Sequence, residues 1–419
     1  MTKPKRGVYL HVISKATQGL RQKVFGRFKA GIWTITAIEL LSAAGFSICL
    51  PFLSLYLYLE RGLSMTLVGM VILIAGLCSA ATQVVGGGLS DRFGRRPLLL
   101  GAAGIRVPFY LGMAVLIWFS APIWAIVVVY IVQQSVGMMV HPATSAMVAD
   151  LSPKDRLTET YGFLRVGRNL GWAAGPAVGG YLATFLLYAW LFGVAALIST
   201  LAFCVILFFL RESFHGTTEQ VNLHSMFSVA TDRTFLMFTG LSLLVFLTGG
   251  QLISTLSVFT VDRIGFSTAQ YGLLLTMNGV IVVLFQYPVA RGVARLAKST
   301  ALILGSLLYG LGFLSLGWVG SFAWALVAIV VITAGEIIFS PTTLAVVGEL
   351  SPREQRGRYM GFFGLSEILG ISIGPLIGGI LLDAFPTDPR FIWGAIAFLA
   401  FAAAVGFRRW GVARQASRT

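Results

Sequence analysis

Long apolar runs separated by short polar gaps occupy almost the whole of this 419-residue chain. A helix needs about 20 apolar residues to cross a bilayer core roughly 30 Å thick. Only 11% of the residues are charged, whereas soluble proteins carry about 25%. The sequence therefore predicts an all-α membrane protein without a soluble domain. Its twelve predicted spans are 31–59, 66–89, 98–119, 122–149, 159–184, 186–210, 235–261, 267–291, 299–318, 322–348, 358–383 and 390–407.

The positions of the lysines and arginines predict how these spans are oriented. If the N-terminus is cytoplasmic, 25 of the 31 Lys and Arg residues fall in cytoplasmic segments, and Arg61, Arg263 and Arg390 fall on the outer side. Basic residues are enriched in cytoplasmic loops. We therefore expect a multi-pass protein of the inner, cytoplasmic membrane with both termini in the cytoplasm. The net charge of +15 follows from this placement, so we expect no nucleic-acid partner.

Residues 1–30 are basic and lack the continuous apolar core of a signal peptide. Leu20, Val24 and Phe28 recur at intervals of four among lysines and arginines. This spacing predicts a short amphipathic helix that lies on the anionic cytoplasmic leaflet, with membrane lipids as its partners.

An internal repeat divides the chain into two halves. About forty residues from His141 onward match those from Ser340 onward at a constant offset of 199, without a gap. Duplicated helical bundles around a midplane site are typical of secondary transporters. The predicted organisation is a basic N-terminal segment at 1–30, a six-helix bundle at 31–210, a cytoplasmic linker at 211–234, a second six-helix bundle at 235–407 and a cytoplasmic tail at 408–419.

Two glycine-rich motifs are more specific than this general pattern. The gap between spans 2 and 3 reads GxLxDRxGRR, with the motif residues Gly88, Asp91, Arg92, Gly94, Arg95 and Arg96. Glycine permits a tight turn at this point. Span 5 reads GxxxGPxxGG, with the motif residues Gly171, Gly175, Pro176, Gly179 and Gly180, and span 11 repeats it. Small residues four apart let helix backbones approach closely, so we expect both halves to use this motif where they slide past each other.

These motifs resemble the major facilitator superfamily, and in particular its 12-helix drug:proton antiporters, the bacterial multidrug exporters. Gly45 and Pro51 downstream of Glu39 and the end of span 8 around Pro288 are also similar to these exporters. The resemblance covers essentially the whole chain. It implies two pseudo-symmetric six-helix bundles, a gating loop between spans 2 and 3, and a glycine motif that marks antiporters.

The sequence departs from the family pattern at two positions. The family often places an arginine in helix 4 four residues before a glycine, but here Gln133 precedes Gly137. In the second half, Ala294 stands where the loop aspartate would fall. The first departure removes support for a proton-relay role of helix 4, and the second indicates that the first-half loop carries most of the gating.

Six ionisable residues lie deep in the predicted spans. An ionised side chain at the centre of a membrane helix costs roughly 2.5–3.5 kcal/mol, so we expect these residues to face a watery cavity or one another. The six are Glu39, Arg106, Arg165, Arg168, Glu336 and Glu367. The candidates for proton coupling are Glu39, Glu336, Glu367 and His141, of which Glu39 is the strongest. The alternatives are that Glu39 neutralises an arginine, that Glu336 serves packing and that His141 is structural.

The candidates for the wall of a substrate cavity are Arg106, Arg165, Arg168, Gln133, Tyr56 and Tyr130. Arg168 and Glu367 occupy matching positions in the repeat, which allows a contact between the halves. Arg106 can pair with Glu39 or contact an anionic group on the substrate. The sequence leaves these alternatives open.

The predicted function is proton-coupled export of small amphipathic organic compounds by alternating access. One alternative is an exporter or flippase for an anionic or lipid-like solute, which the three arginines within spans favour. An uptake symporter is a third possibility, and the antiporter-type glycine motif disfavours it.

Enzymatic functions have no residues in this sequence to perform them. It lacks HExxH and the Walker sequence that ends in GK[ST], and it has no GxSxG with catalytic partners. The four histidines do not have the spacing of a metal site. We therefore expect no enzyme, no metal and no cofactor, and a monomer whose partners are a small-molecule substrate, protons and lipids.

Overall fold

The computed structural model describes residues 28–153, 156–213, 228–352 and 355–416, which form helices and no strand. Twelve long helices match the predicted spans to within a few residues. They are α1 (Ala30–Glu60), α2 (Met65–Phe93), α3 (Arg95–Trp118), α4 (Ile123–Leu151), α5 (Leu157–Phe185), α6 (Ala189–Phe209), α7 (Arg233–Arg263), α8 (Thr268–Val293), α9 (Lys298–Trp318), α10 (Phe322–Leu350), α11 (Arg356–Ala384) and α12 (Pro389–Ala416).

Two predicted segments differ from the structure or lie outside it. We predicted a tail at 408–419, but α12 continues as a helix to Ala416. Most of the predicted amphipathic segment at 1–30 and most of the linker at 211–234 lie outside the described residues.

Among the described residues, eleven helices are long and apolar enough to span a membrane. The twelfth long helix, α5, has 29 residues but is less apolar. It carries Arg165 and Arg168 and is rich in glycine. Its position explains this composition, because α5 packs against α1 of its own half and against α8 of the other half.

The six helices of each half pack in the same pattern. In the first half α1 contacts α5 and α6, α2 contacts α4, and α3 contacts α4 and α6. In the second half α7 contacts α11 and α12, α8 contacts α10, and α9 contacts α10 and α12. The predicted fold of two pseudo-symmetric six-helix bundles is therefore confirmed. The halves meet mainly through α5 with α8 and α2 with α11.

The glycine motif of α5 faces two different neighbours. A side chain at Gly171, Gly175 or Gly179 would collide with α1. A β-carbon at Gly180 would instead lie 2.6 Å from the carbonyl oxygen of Thr268 in α8, across the boundary between the halves. We expected the whole motif at the interface between the halves, but of its glycines only Gly180 lies there.

The repeated motif in α11 divides its contacts in the same way. Gly370, Gly374 and Gly378 pack against α7 of the same half, and Gly379 packs against the backbone of Met65 in α2. In both helices the first three glycines join α5 or α11 to its own bundle, and the last one joins the two bundles.

The two ends of the molecule differ. We call the end that carries Ala30 and Ala416 the basic end, and the other the opposite end. At the opposite end the Asp383 carboxylate accepts hydrogen bonds from the backbone N–H groups of Met65 (3.0 Å) and Thr66 (2.8 Å). An acidic group is favoured at a helix N-terminus, here that of α2. This cap links α11 to α2 and joins the halves at the opposite end.

The basic end is open. One cavity lies between the basic-end halves of α2 and α11, and a second lies between α5 and α10. The helices α2 and α11, which touch at the opposite end, are therefore separated here. The structure represents a state that is closed at the opposite end and open at the basic end.

We predict that Gly379→Val prevents closure at the opposite end, because its side chain would overlap the backbone of Met65 in α2. The distance between spin labels at positions 187 and 320, in opposite-end connections of the two halves, should then shift to longer values. Gly357→Ala is the matched control in α11, since nothing lies within 4 Å of its β-carbon. An unchanged distance distribution in Gly379→Val would contradict the assignment of this contact as the closing one.

Candidate substrate cavity and gate

A cavity lies between the two bundles and has two lobes. The N lobe, of about 250 Å³, is lined by α1, α3, α4, α5 and α6 and includes Glu39, Arg106 and His141. The C lobe, of about 290 Å³, is lined by α5, α7, α8, α9, α10 and α11. Arg168 and Trp172 of α5 line both lobes. The less apolar helix α5 therefore forms the partition of the cavity.

Glu39 and Arg168 form an ion pair in the N lobe. Nε of Arg168 lies 2.8 Å from Oε2 of Glu39, and Glu39 is buried. Gly167 and Gly171 flank Arg168 and pack against the backbone of α1 on either side of Glu39. The glycines thus bring the two helices close enough for this pair to form. Among the described residues Arg168 forms no ion pair with Glu367, so the contact that the repeat allowed is not made.

Arg106 lies in the same lobe without a carboxylate partner. Its side chain is buried, its guanidinium packs against Gly137 of α4, and its Nη2 donates to the Tyr110 hydroxyl at 2.9 Å. Of the two alternatives that the sequence left open for Arg106, the pairing with Glu39 is not made among the described residues, where Arg168 pairs with that carboxylate.

The wall formed by the second half is acidic. Glu336 of α10 is half-buried and accepts a 2.8 Å hydrogen bond from Nδ2 of Asn278 in α8. Glu367 of α11 is exposed to the cavity, and neither glutamate forms an ion pair within the described residues. The first half contributes Arg106 and Arg168 to the lining of the lobes, and Arg165 lies at the basic end of the cavity, so the cavity has a basic side and an acidic side.

Arg165 connects the two sides at the basic end of the cavity. Its Nη2 donates to the Ser340 hydroxyl of α10 at 3.0 Å. This hydrogen bond joins α5 to α10 across the space that separates the halves. Ser340 and Asn278 are cavity residues that the sequence analysis did not single out. Their signal is weak, since each is one polar residue within an apolar run.

Three of the other candidates, Tyr56, Tyr130 and Gln133, do not line either lobe of the cavity, whereas His141 does. Tyr56 is buried at the opposite end, in a π-helical turn, and its hydroxyl accepts a hydrogen bond from Arg61, so it is not a cavity residue. Tyr130 and Gln133 are buried within the first half and line a small separate pocket with Tyr110. His141 is half-buried and lines the N lobe where α4 resumes after a break at Val140.

The predicted gating loop is only one residue long. α2 continues through Gly88, Asp91 and Arg92 to Phe93, Gly94 adopts φ = 94°, and α3 begins at Arg95. A residue with a side chain is strained at this φ. The side chain of Asp91 lies outside the described part of the structure, so its predicted gating role stays a prediction.

Two carboxylates that the sequence did not indicate hold this junction together. Glu212, just after α6, accepts hydrogen bonds from the backbone N–H groups of Arg95 (3.3 Å) and Arg96 (3.0 Å). Asp150 at the end of α4 pairs with the guanidinium of Arg95, which is buried. The partners of the motif are thus in its own half and more than fifty residues away, which explains why no local pattern revealed them.

The chain is similar to known membrane transporters. The family model described as Major Facilitator Superfamily matches residues 35–342 and 234–418. The uncharacterized MFS-type transporter YttB of Bacillus subtilis is 28% identical, covering 82% of this chain and 86% of its own. A Na(+), Li(+), K(+)/H(+) antiporter of Planococcus maritimus is 25% identical over 88% and 92%, and the class B tetracycline resistance protein of Escherichia coli is 27% identical over 75% and 78%.

Solved structures show the same fold. A crystal structure of the nucleoside transporter NupG (D323A mutant) superimposes with a TM-score of 0.78, covering 90% of this chain and 99% of that one. The sequence identity is 12%, so this likeness concerns the fold alone.

We predict that Glu39→Gln destabilises the protein, because it leaves the Arg168 guanidinium with a neutral partner in place of a charged one. A hydrogen bond to a charged group contributes about 2 kcal/mol, which corresponds to a fall of a few degrees in the thermal midpoint in detergent.

The double variant Glu39→Gln/Arg168→Gln is the matched control, since two amides can still pair. The fall in the thermal midpoint of this double variant should be smaller than the sum of the falls in Glu39→Gln and Arg168→Gln. Additive losses would contradict a direct stabilising pair.

Proposed function

This chain belongs to the Major Facilitator Superfamily and is a multi-pass membrane transporter, and we propose that it is a proton-coupled exporter of small amphipathic organic compounds. The observation that carries this proposal is the pair of cavity carboxylates, Glu336 and Glu367, which form no ion pair within the described residues. The name of one relative, a Na(+), Li(+), K(+)/H(+) antiporter, supports proton coupling, and that of another, a tetracycline resistance protein, supports an organic substrate.

Glu336 and Glu367 are suited to couple proton uptake to a change of state. In the state open at the basic end, water reaches both carboxylates through the cavity. When that end closes, an ionised carboxylate without a partner is costly to keep in a membrane interior. Closure is therefore favoured when the carboxylates carry either a proton or a cationic group of the substrate. Proton and substrate then compete for the same groups, which is what an antiporter requires.

Glu39 has a different role in this proposal. It was the strongest sequence candidate for the coupling proton, but Arg168 neutralises it inside the first bundle. We assign Glu39 to the positioning of Arg168, which lines both lobes. The coupling groups then belong to the second bundle.

The proposed direction of transport combines an orientation of the chain with an inward proton gradient. We propose that the basic end faces the cytoplasm, with both termini there, in the inner membrane of a bacterium. The open cavity would then load substrate from the cytoplasm. Release on the other side requires separation of α2 from α11 and of α5 from α8 at the opposite end, together with closure at the basic end.

The test uses purified protein in proteoliposomes with an imposed pH gradient and a pH-sensitive dye trapped inside. Ethidium and norfloxacin serve as amphipathic probes. We expect their accumulation to follow the pH gradient, with proton movement in the opposite direction to the probe.

Glu336→Gln and Glu367→Gln should each lower gradient-driven accumulation by about tenfold, equivalent to about 1.4 kcal/mol. Exchange of probe between compartments of equal pH should persist in these variants, because it requires no net proton transfer. Glu60→Gln, an exposed glutamate at the opposite end, is the matched control. Probe accumulation that does not depend on the pH gradient, or that depends on a sodium gradient alone, would contradict the proposal.

A further inference from the structure

We propose that Arg106 in the wall of the N lobe and Gln133 in the small pocket beside Tyr110 form an anion subsite, and that this subsite binds a carboxylate group of the transported compound. This inference rests on the transport function proposed above and adds to it the charge of the substrate. It is carried by two buried donor atoms that lack acceptors, Nε of Arg106 and Nε2 of Gln133, and Arg106 lines the cavity.

The first step is the state of Arg106. The residue is only 9% exposed, and a buried charge without a counter-charge is strongly destabilising. The nearby acid of this lobe, Glu39, pairs with Arg168. Within the described residues no other acid pairs with Arg106, and its Nε has no hydrogen-bond partner. The guanidinium is therefore held in the wall with its charge uncompensated by the protein.

The second step is the chemistry of the unused groups. Nε of Arg106 and Nε2 of Gln133 are both buried donors without an acceptor. Both side chains adjoin the hydroxyl of Tyr110. Two unused donors beside a positive charge favour an acceptor with a negative charge. The planar guanidinium matches the geometry of a carboxylate, to which it can donate two parallel hydrogen bonds.

The third step is access. The N lobe is lined by Arg106, Gly137, His141 and Trp172, and the guanidinium carbon would lie 3.6 Å from a β-carbon at Gly137. The missing side chain at Gly137 leaves room beside the guanidinium. A helix-4 arginine, which the resemblance implied at position 133, is replaced by Gln133, and Arg106 supplies a positive charge from the adjacent helix α3.

The surroundings narrow the class of ligand further. Apolar residues form much of the rest of the lobe, including Ile38, Phe46 and Leu99. The acidic residues Glu336 and Glu367 of the C lobe repel a second negative charge. The structure therefore favours an amphipathic compound with one carboxylate on an apolar body, and disfavours dianions.

The test measures binding to the purified full chain in detergent by calorimetry. The probes are norfloxacin, fusidate and salicylate, each compared with its methyl ester, which has the same body without the charge. The wild-type protein should bind at least one acid about tenfold more tightly than its ester. If no acid binds more tightly than its ester, the subsite proposal is wrong.

Arg106→Gln should weaken binding of the preferred acid by about tenfold or more and change binding of the ester by less than about twofold. Arg211→Gln, an exposed arginine after α6, is the matched control. Equal losses for acid and ester would mean that Arg106 only supports the fold, and would overturn the proposal.

The exchange variant Arg106→Gln/Gln133→Arg separates binding from stability. It moves the guanidinium to the adjacent helix beside Tyr110, and it should recover the preference for the acid over the ester. A variant that folds but shows no such preference would overturn the pairing of these two residues in one site.

The outcomes are distinct from those of the transport test. Binding of an acid that depends on Arg106, without pH-driven transport, would retain the subsite and remove the proposed coupling. Transport driven by the pH gradient, without any preference for acids, would retain the proposed coupling and remove the subsite.

Discussion

The close approach of helix backbones at glycine determines how this molecule is assembled. Gly171, Gly175 and Gly179 let α5 lie against α1, and the matching glycines let α11 lie against α7. The next residue in each motif, Gly180 or Gly379, lets the same helix touch the other bundle. α5 and α11 thus belong to one bundle on one face and contact the second bundle on another. Because the contacts of Gly180 and Gly379 with the other bundle lie toward the opposite end, α2 and α11 can diverge at the basic end and enclose the cavity.

The placement of charge depends on the same packing. Gly167 and Gly171 bring the backbone of α5 to α1, so Arg168 reaches Glu39. In this pair Glu39 and Arg168 neutralise each other. Among the described residues, Arg106 on one wall of the cavity and Glu336 and Glu367 on the other then have no ion-pair partner. The cavity is therefore polarised, and we propose that the first bundle binds an anionic group and the second a proton or a cationic group. A duplicated fold has acquired two unlike halves through the substitution of a few charged residues.

Different parts of the structure were predictable to different degrees. Helix positions follow from the length of each apolar run, and the bundle symmetry follows from a repeat without gaps, so both were read correctly from the chain. The partners of Arg168 and Arg95 were not, since a contact between helices depends on how each is rotated and tilted. Tyr56 shows the same limit: an aromatic residue in α1 belongs to the cavity or to the closed end depending on its depth, which apolar periodicity does not encode.

The sequence by itself determined the membrane environment, the twelve helices, the duplication and the set of ionisable residues within the spans. Each of these depends on composition or on local spacing along the chain. Only the tertiary structure decided that Glu39 is neutralised by Arg168, that Arg106 has no acidic partner and that Glu212 and Asp150 hold the α2–α3 junction. These facts depend on distances between side chains that are up to 129 residues apart, and such distances are fixed by where the glycines allow the helices to touch.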